Sequence, residues 1–212
     1  MKKEKLILMF LVFFALSSCL KDVPPRPPKE IDENSDLNQG ACGDETYEEW
    51  ETSEYVLPYP VGKSYSINLS HCGGSYHSAG APDKYAIDFA MNIGTTITAS
   101  RSGKVVFVEQ SGFDGSHPNN LVIVQHSDGT FAQYMHLTNE GARVKVGETV
   151  EKGKTIGLSG STGLAGYPHL HFVATKGGSY KYPYESFPTT FSNTDENPRS
   201  LEEGKTYKAL AY

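Results

Sequence analysis

An all-β domain is the fold class that this 212-residue sequence predicts, on three observations. Glycine (21), proline (12) and tyrosine (13) are abundant while long runs of Ala, Leu, Glu and Lys are missing, which disfavours helical bundles and coiled coils. From about Tyr47 onward apolar and polar residues alternate in short runs, with no helical stripe longer than a turn or two. Between those runs stand glycines or pairs such as Asp128-Gly129, which accept tight turns. Closely spaced strands of this kind imply a compact antiparallel domain built from hairpins. The length suffices for one ordinary core plus tails, not for two full domains.

The first element is not part of that domain. Lys2, Lys3 and Lys5 precede an unbroken apolar run from Leu6 to Leu16, followed by Ser17, Ser18 and Cys19. This is the pattern of an export signal, and the run is shorter than the roughly 20 residues a spanning helix needs. Leu16-Ser17-Ser18-Cys19 resembles the bacterial lipobox. That resemblance implies removal of residues 1–18, acylation of Cys19, and a lipid anchor in the bacterial cell envelope facing the periplasm or exterior. Several acyl chains on one residue give lasting attachment. Loss of three lysines and Glu4 leaves a mature chain more acidic than the full chain's formal charge of −6.

Residues 19–45 read as a tether. Val23-Pro24-Pro25-Arg26-Pro27-Pro28 favours extended polyproline II, and the acidic stretch behind it has too few aliphatic residues to bury a core, so the segment is expected to be disordered. Cys42 and Cys72, in a chain that has left the reducing cytosol, are expected to pair as one disulfide.

The β domain then occupies residues 46–212. Its firmest strands are Gly103–Val108, Asn120–His126, Thr130–His136, Val144–Val150, Thr155–Ser159 and His169–Thr175. An extension begins at about residue 176, in which Pro188–Phe191 is expected to form a further strand and Tyr207–Tyr212 a docked end.

Chemistry is concentrated in the histidines. In His169-Leu170-His171-Phe172-Val173 the period of two puts both imidazoles on one face, opposite Leu170 and Phe172. Within Ala132–Leu137 the same period would give Tyr134 and His136 a common face, away from Phe131, Gln133 and Met135. Asp88 lies opposite Ile87 and Phe89 in an otherwise apolar strand, and a buried carboxylate wants a partner. A carboxylate and imidazoles with an open position for water suit zinc.

The order of these pieces resembles the lysostaphin-type (LytM-like) zinc endopeptidases of bacterial cell-wall metabolism. The match runs from about Tyr59 to Thr175 through Tyr85-Ala86-Ile87-Asp88-Phe89, Asn120–His126, Tyr134-Met135-His136-Leu137, Ser159–Gly163 and His169-Leu170-His171-Phe172. The resemblance implies a β domain of the duplicated hybrid motif type with a narrow groove, one Zn2+ ion, and hydrolysis of peptide bonds in peptidoglycan stems or cross-bridges. It places Asp88 and His171 as zinc ligands, with His136 and His169 as catalytic groups beside the metal-bound water. The family's first histidine stands four residues before the aspartate, where this chain has Lys84, which cannot ligate zinc. His77 is the expected substitute, at the head of a Gly/Pro-containing loop that can fold back toward Asp88; His71 is its rival. His117 and His126 are left outside the site.

Composition and motifs exclude other classes. Nineteen Lys and Arg against 25 Asp and Glu, with no long basic stretch, make nucleic acid a poor partner. No Met-Lys pair follows the leader, which argues against a lipoyl or biotinyl carrier. The main competing reading is a metal-less relative that binds and activates another wall hydrolase.

Overall fold

The structure is a computed structural model and describes residues 45–212. After a 3-10 turn at Trp50–Thr52 come eleven strands: β1 (Ser64–Leu69), β2 (Ile87–Ala90), β3 (Thr96–Thr98), β4 (Gly103–Glu109), β5 (Leu121–Gln125), β6 (Phe131–Met135), β7 (Leu137–Ala142), β8 (Thr149–Val150), β9 (Thr155–Ser159), β10 (His169–Thr175) and β11 (Thr206–Lys208). Eight of them form one sheet in the order β11-β1-β2-β10-β6-β5-β4-β8, and β3, β9 and β7 form a second. Every strand pair is antiparallel.

Strands begin at 103, 121, 131, 155 and 169, each within one residue of the start the sequence predicts. The meander β4-β5-β6 runs through a long loop, residues 110–120, and then a short turn between β5 and β6, in which Gly129 takes φ +86°, where a side chain would be strained. Strand β10 is buried along its whole length because β2 and β6 flank it, although neither is its neighbour in sequence. Its partners fix the two faces. Leu170 and Phe172 lie opposite Phe89 and Ile87 on β2, and Phe172 lies opposite Tyr134 on β6, so these residues build the core. His169 and His171 lie opposite Ala90 and Asp88 and face the other way.

Three expectations are corrected. Of Val144–Val150 only Thr149–Val150 is strand: Gly147 takes φ +91° and Glu148 donates its N–H to the Lys145 carbonyl, so the segment turns before it pairs. Pro188–Phe191 is not a strand, because its backbone groups bond to side chains, Phe191 N–H to Asn197 and the Thr190 carbonyl to Ser53. The end of the chain docks as expected: Tyr207 pairs with β1 inside Thr206–Lys208, Ala209 exchanges backbone hydrogen bonds with Gly62 and Lys63, and Leu210 donates its N–H to the Asn193 carbonyl. His136 does not share a face with Tyr134: it follows the last residue of β6 with φ +63°, which turns its side chain out of the core register.

Candidate metal centre

The centre is assembled on the face of β2 and β10 that looks away from the core. Asp88 and His171 are cross-strand partners, so the sheet register alone brings the His171 Nδ1 to 2.9 Å from Asp88 Oδ1. The loop after β1 brings His77. Its Nε2 is 3.4 Å from His171 Nδ1 and 3.5 Å from Asp88 Oδ1. These three atoms form a triangle, and all three side chains are buried, at 1%, 6% and 6% exposure for His77, Asp88 and His171.

A tetrahedral zinc with ligands at about 2.0–2.1 Å holds its donor atoms about 3.3 Å apart, so the observed edges match what the ion requires. The donor set, two imidazoles and a carboxylate, leaves a fourth position for water or substrate. The residues present therefore fit a catalytic zinc.

The tautomers fit as well. A ring nitrogen beside a carbonyl must carry the proton, because the carbonyl can only accept. His77 Nδ1 lies 3.2 Å from the Ser70 carbonyl, His136 Nδ1 2.7 Å from that of Thr162, and His169 Nδ1 2.8 Å from that of Tyr167. All three rings thereby present an unprotonated Nε2. His171 is the reverse: its Nε2 faces Asp83 Oδ1 at 3.4 Å, which leaves Nδ1 for the centre.

His136 and His169 stand beside the triangle. A nitrogen of each lies within 4.8 Å of one on His171, their rings are 4.7 Å apart, and His169 Nε2 is 3.6 Å from Asp88 Oδ1. His136 is held by its backbone N–H on Asn119 and by its ring on Thr162. The Thr162 loop depends on Gly163, whose φ is +73° and where a Cβ would come within 2.7 Å of Asn119.

Electrostatics separates these groups. Burial opposes charge on His171, but the carboxylates of Asp83 and Asp88 outweigh it and push the ring up to about 10. Burial also opposes charge on Asp88, yet the His171 and His77 contacts hold its carboxyl far below the usual range. His136 goes down to about 3, through burial first and then the neighbouring His171 and His169. His169 is lowered by burial, partly offset by Asp88.

The rival His71 does not join the group. It stacks on Tyr47 with a ring separation of 5.7 Å, and its ring nitrogens face the hydroxyls of Tyr47 and Ser200. Lys84 points to Glu45. His117 is exposed, and His126 is buried against Tyr55 with Nδ1–H donated to the Ser102 carbonyl. Cys72 is disulfide-bonded; Cys19 and Cys42, with the leader and most of the tether, lie outside the described residues. Sequence reasoning passed over Asp83 and Tyr167. Their signal was adjacency alone: Asp83 precedes the Lys84-Tyr85 start of the motif, and Tyr167 stands two residues before His169.

Residues 83–183 match the model of peptidase family M23. They are an M23 domain. Over 116 residues, 54% of this chain and 20% of the relative, the sequence is 42% identical to lysostaphin of Staphylococcus staphylolyticus. It is 41% identical over 117 residues to the peptidoglycan DD-endopeptidase ShyA of Vibrio cholerae, covering 54% of this chain and 26% of that protein. The lysostaphin catalytic domain of Staphylococcus simulans aligns in structure at 34% identity, covering 62% of this chain and 84% of that one with a TM-score of 0.42. The chain thus spans about a fifth to a quarter of the length of these curated relatives. M23 domains are zinc metallopeptidase domains, and the donor set agrees with that metal.

Proposed function

We propose that the chain is a zinc-dependent endopeptidase that hydrolyses peptide bonds in peptidoglycan stem peptides or cross-bridges, held at a membrane by acylation of Cys19. The meeting of His77 Nε2, Asp88 Oδ1 and His171 Nδ1 at separations a single zinc can span carries this reading. The substrate class is supported by relatives named for peptidoglycan and glycyl-glycine cleavage.

His77, Asp88 and His171 would hold the ion. Bound there, zinc supplies Lewis acidity, bringing the pKa of a water toward neutrality and polarising the scissile carbonyl. His136 and His169 supply proton handling. Each offers an unprotonated Nε2 while its Nδ1–H is anchored on a carbonyl, so the rings cannot turn their donor side inward. Burial keeps both neutral near pH 7. One Nε2 takes the proton from the attacking water and delivers it to the leaving amine, while the other helps orient that water.

The test is digestion of purified peptidoglycan by the full chain, with and without a chelator, with the released fragments identified by mass. Chelator-sensitive cleavage within the peptides is expected. Glycan cleavage, or tight binding without products as a binding activator would give, contradicts the proposal.

A further inference from the structure

Asp83 and Tyr184 belong to neither the ligand triangle nor the pair of proton-handling histidines. Asp83 Oδ1 faces His171 Nε2 at 3.4 Å, on the side of the ring away from Asp88. The Tyr184 hydroxyl donates to the same Oδ1. Tyr184 comes from the extension, one residue beyond the M23 match. The chain leaves β10, turns, and returns beside it: Lys176 donates its N–H to the Glu185 carbonyl, Phe187 to that of Ala174, and the Ser186 hydroxyl bonds the Pro82 carbonyl at 2.6 Å. That return fastens the extension to the loop carrying Asp83.

A metal-bound imidazole is oriented by whatever its other nitrogen donates to, and a carboxylate there fixes the tautomer and strengthens the ligand. We infer that Asp83, held in place by the Tyr184 hydroxyl of the extension, is a positioning residue that keeps the Nε2–H tautomer of His171 and aims its Nδ1 at zinc. The contact survives in a site of low exposure: the side chains of His171 and Asp83 are 8% and 19% exposed. The extension thereby completes the centre.

This inference rests on His171 being a zinc ligand, so its test must separate the two. Zinc dissociation constants are measured for the full chain and for H171A, D83L, D83N and Y184F by competition with a chromophoric chelator, together with melting temperatures of the zinc-free proteins. H171A should lose the site; retention of zinc by H171A refutes the ligand assignment itself. With H171A inactive in binding, D83L should weaken zinc by about 10- to 100-fold. D83N, which keeps an acceptor oxygen, should fall between parent and D83L, and Y184F should lose about fivefold, the worth of one hydrogen bond. A purely structural role lowers the zinc-free melting temperature and leaves the affinity of the folded protein alone. Parental affinity in D83L, or in Y184F should D83L fold poorly, overturns the inference.

Discussion

At Asp88 and His171 the backbone register already does most of the placing, because cross-strand partners in an antiparallel pair have their side chains on one face within reach of each other. What distinguishes the four site histidines is which nitrogen each ring exposes. H171A and H77A are expected to lose zinc and activity together. H136A and H169A should retain zinc, measured by metal content, and lose turnover by about 100-fold or more. His71 gives a separate, pH-dependent prediction. Burial lowers its pKa from 6.5 to about 3, so between those values the unfolded chain binds a proton that the folded one does not. Its contribution makes stability fall as pH drops from about 6.5 and level off below about 3. Denaturant titrations of H71Q should show a shallower acid slope than the parent. Alternation and composition made Asp88, His169 and His171 legible in the sequence. They missed the turn at His136, since a positive φ leaves no trace in a period of two, and they gave no hint of Asp83, whose role comes from a residue about a hundred positions away.

Strand β10 joins core to chemistry. Leu170, Phe172 and Ala174 pack into the core with no exposed surface, while His169 and His171 emerge on the opposite face. F172A should cost about 3–5 kcal/mol of stability in denaturant unfolding, since it opens a cavity between Tyr134 and Phe191. Five strand starts were readable because each opens a short β-prone run bounded by turn residues. Val144–Val150 misled because a valine-rich run around Gly147 resembles a strand while its backbone closes a turn. Sheet order was out of reach for a different reason: β10 inserts between β2 and β6, a long-range pairing on which local periodicity carries no information.

On the scale of the whole molecule, the metal links folding to function. A ligand that binds only the folded state stabilises it by about 4 kcal/mol when present at a thousand times its dissociation constant. For a domain of this size that is a rise in melting temperature on the order of 10 °C. A chelator should therefore lower the melting temperature of the full chain, and the shift should vanish in H171A. In the zinc-free form His171 is a cation between Asp83 and Asp88. Zinc must displace that proton, so its affinity should increase with pH across the neutral range.

The most direct measurement is metal content of the full chain and its H77A, D88A and H171A variants by elemental analysis after dialysis against dilute zinc. One zinc per chain in the parent and none in each variant is the predicted result; stoichiometric zinc retained after loss of His77 or His171 would contradict the account.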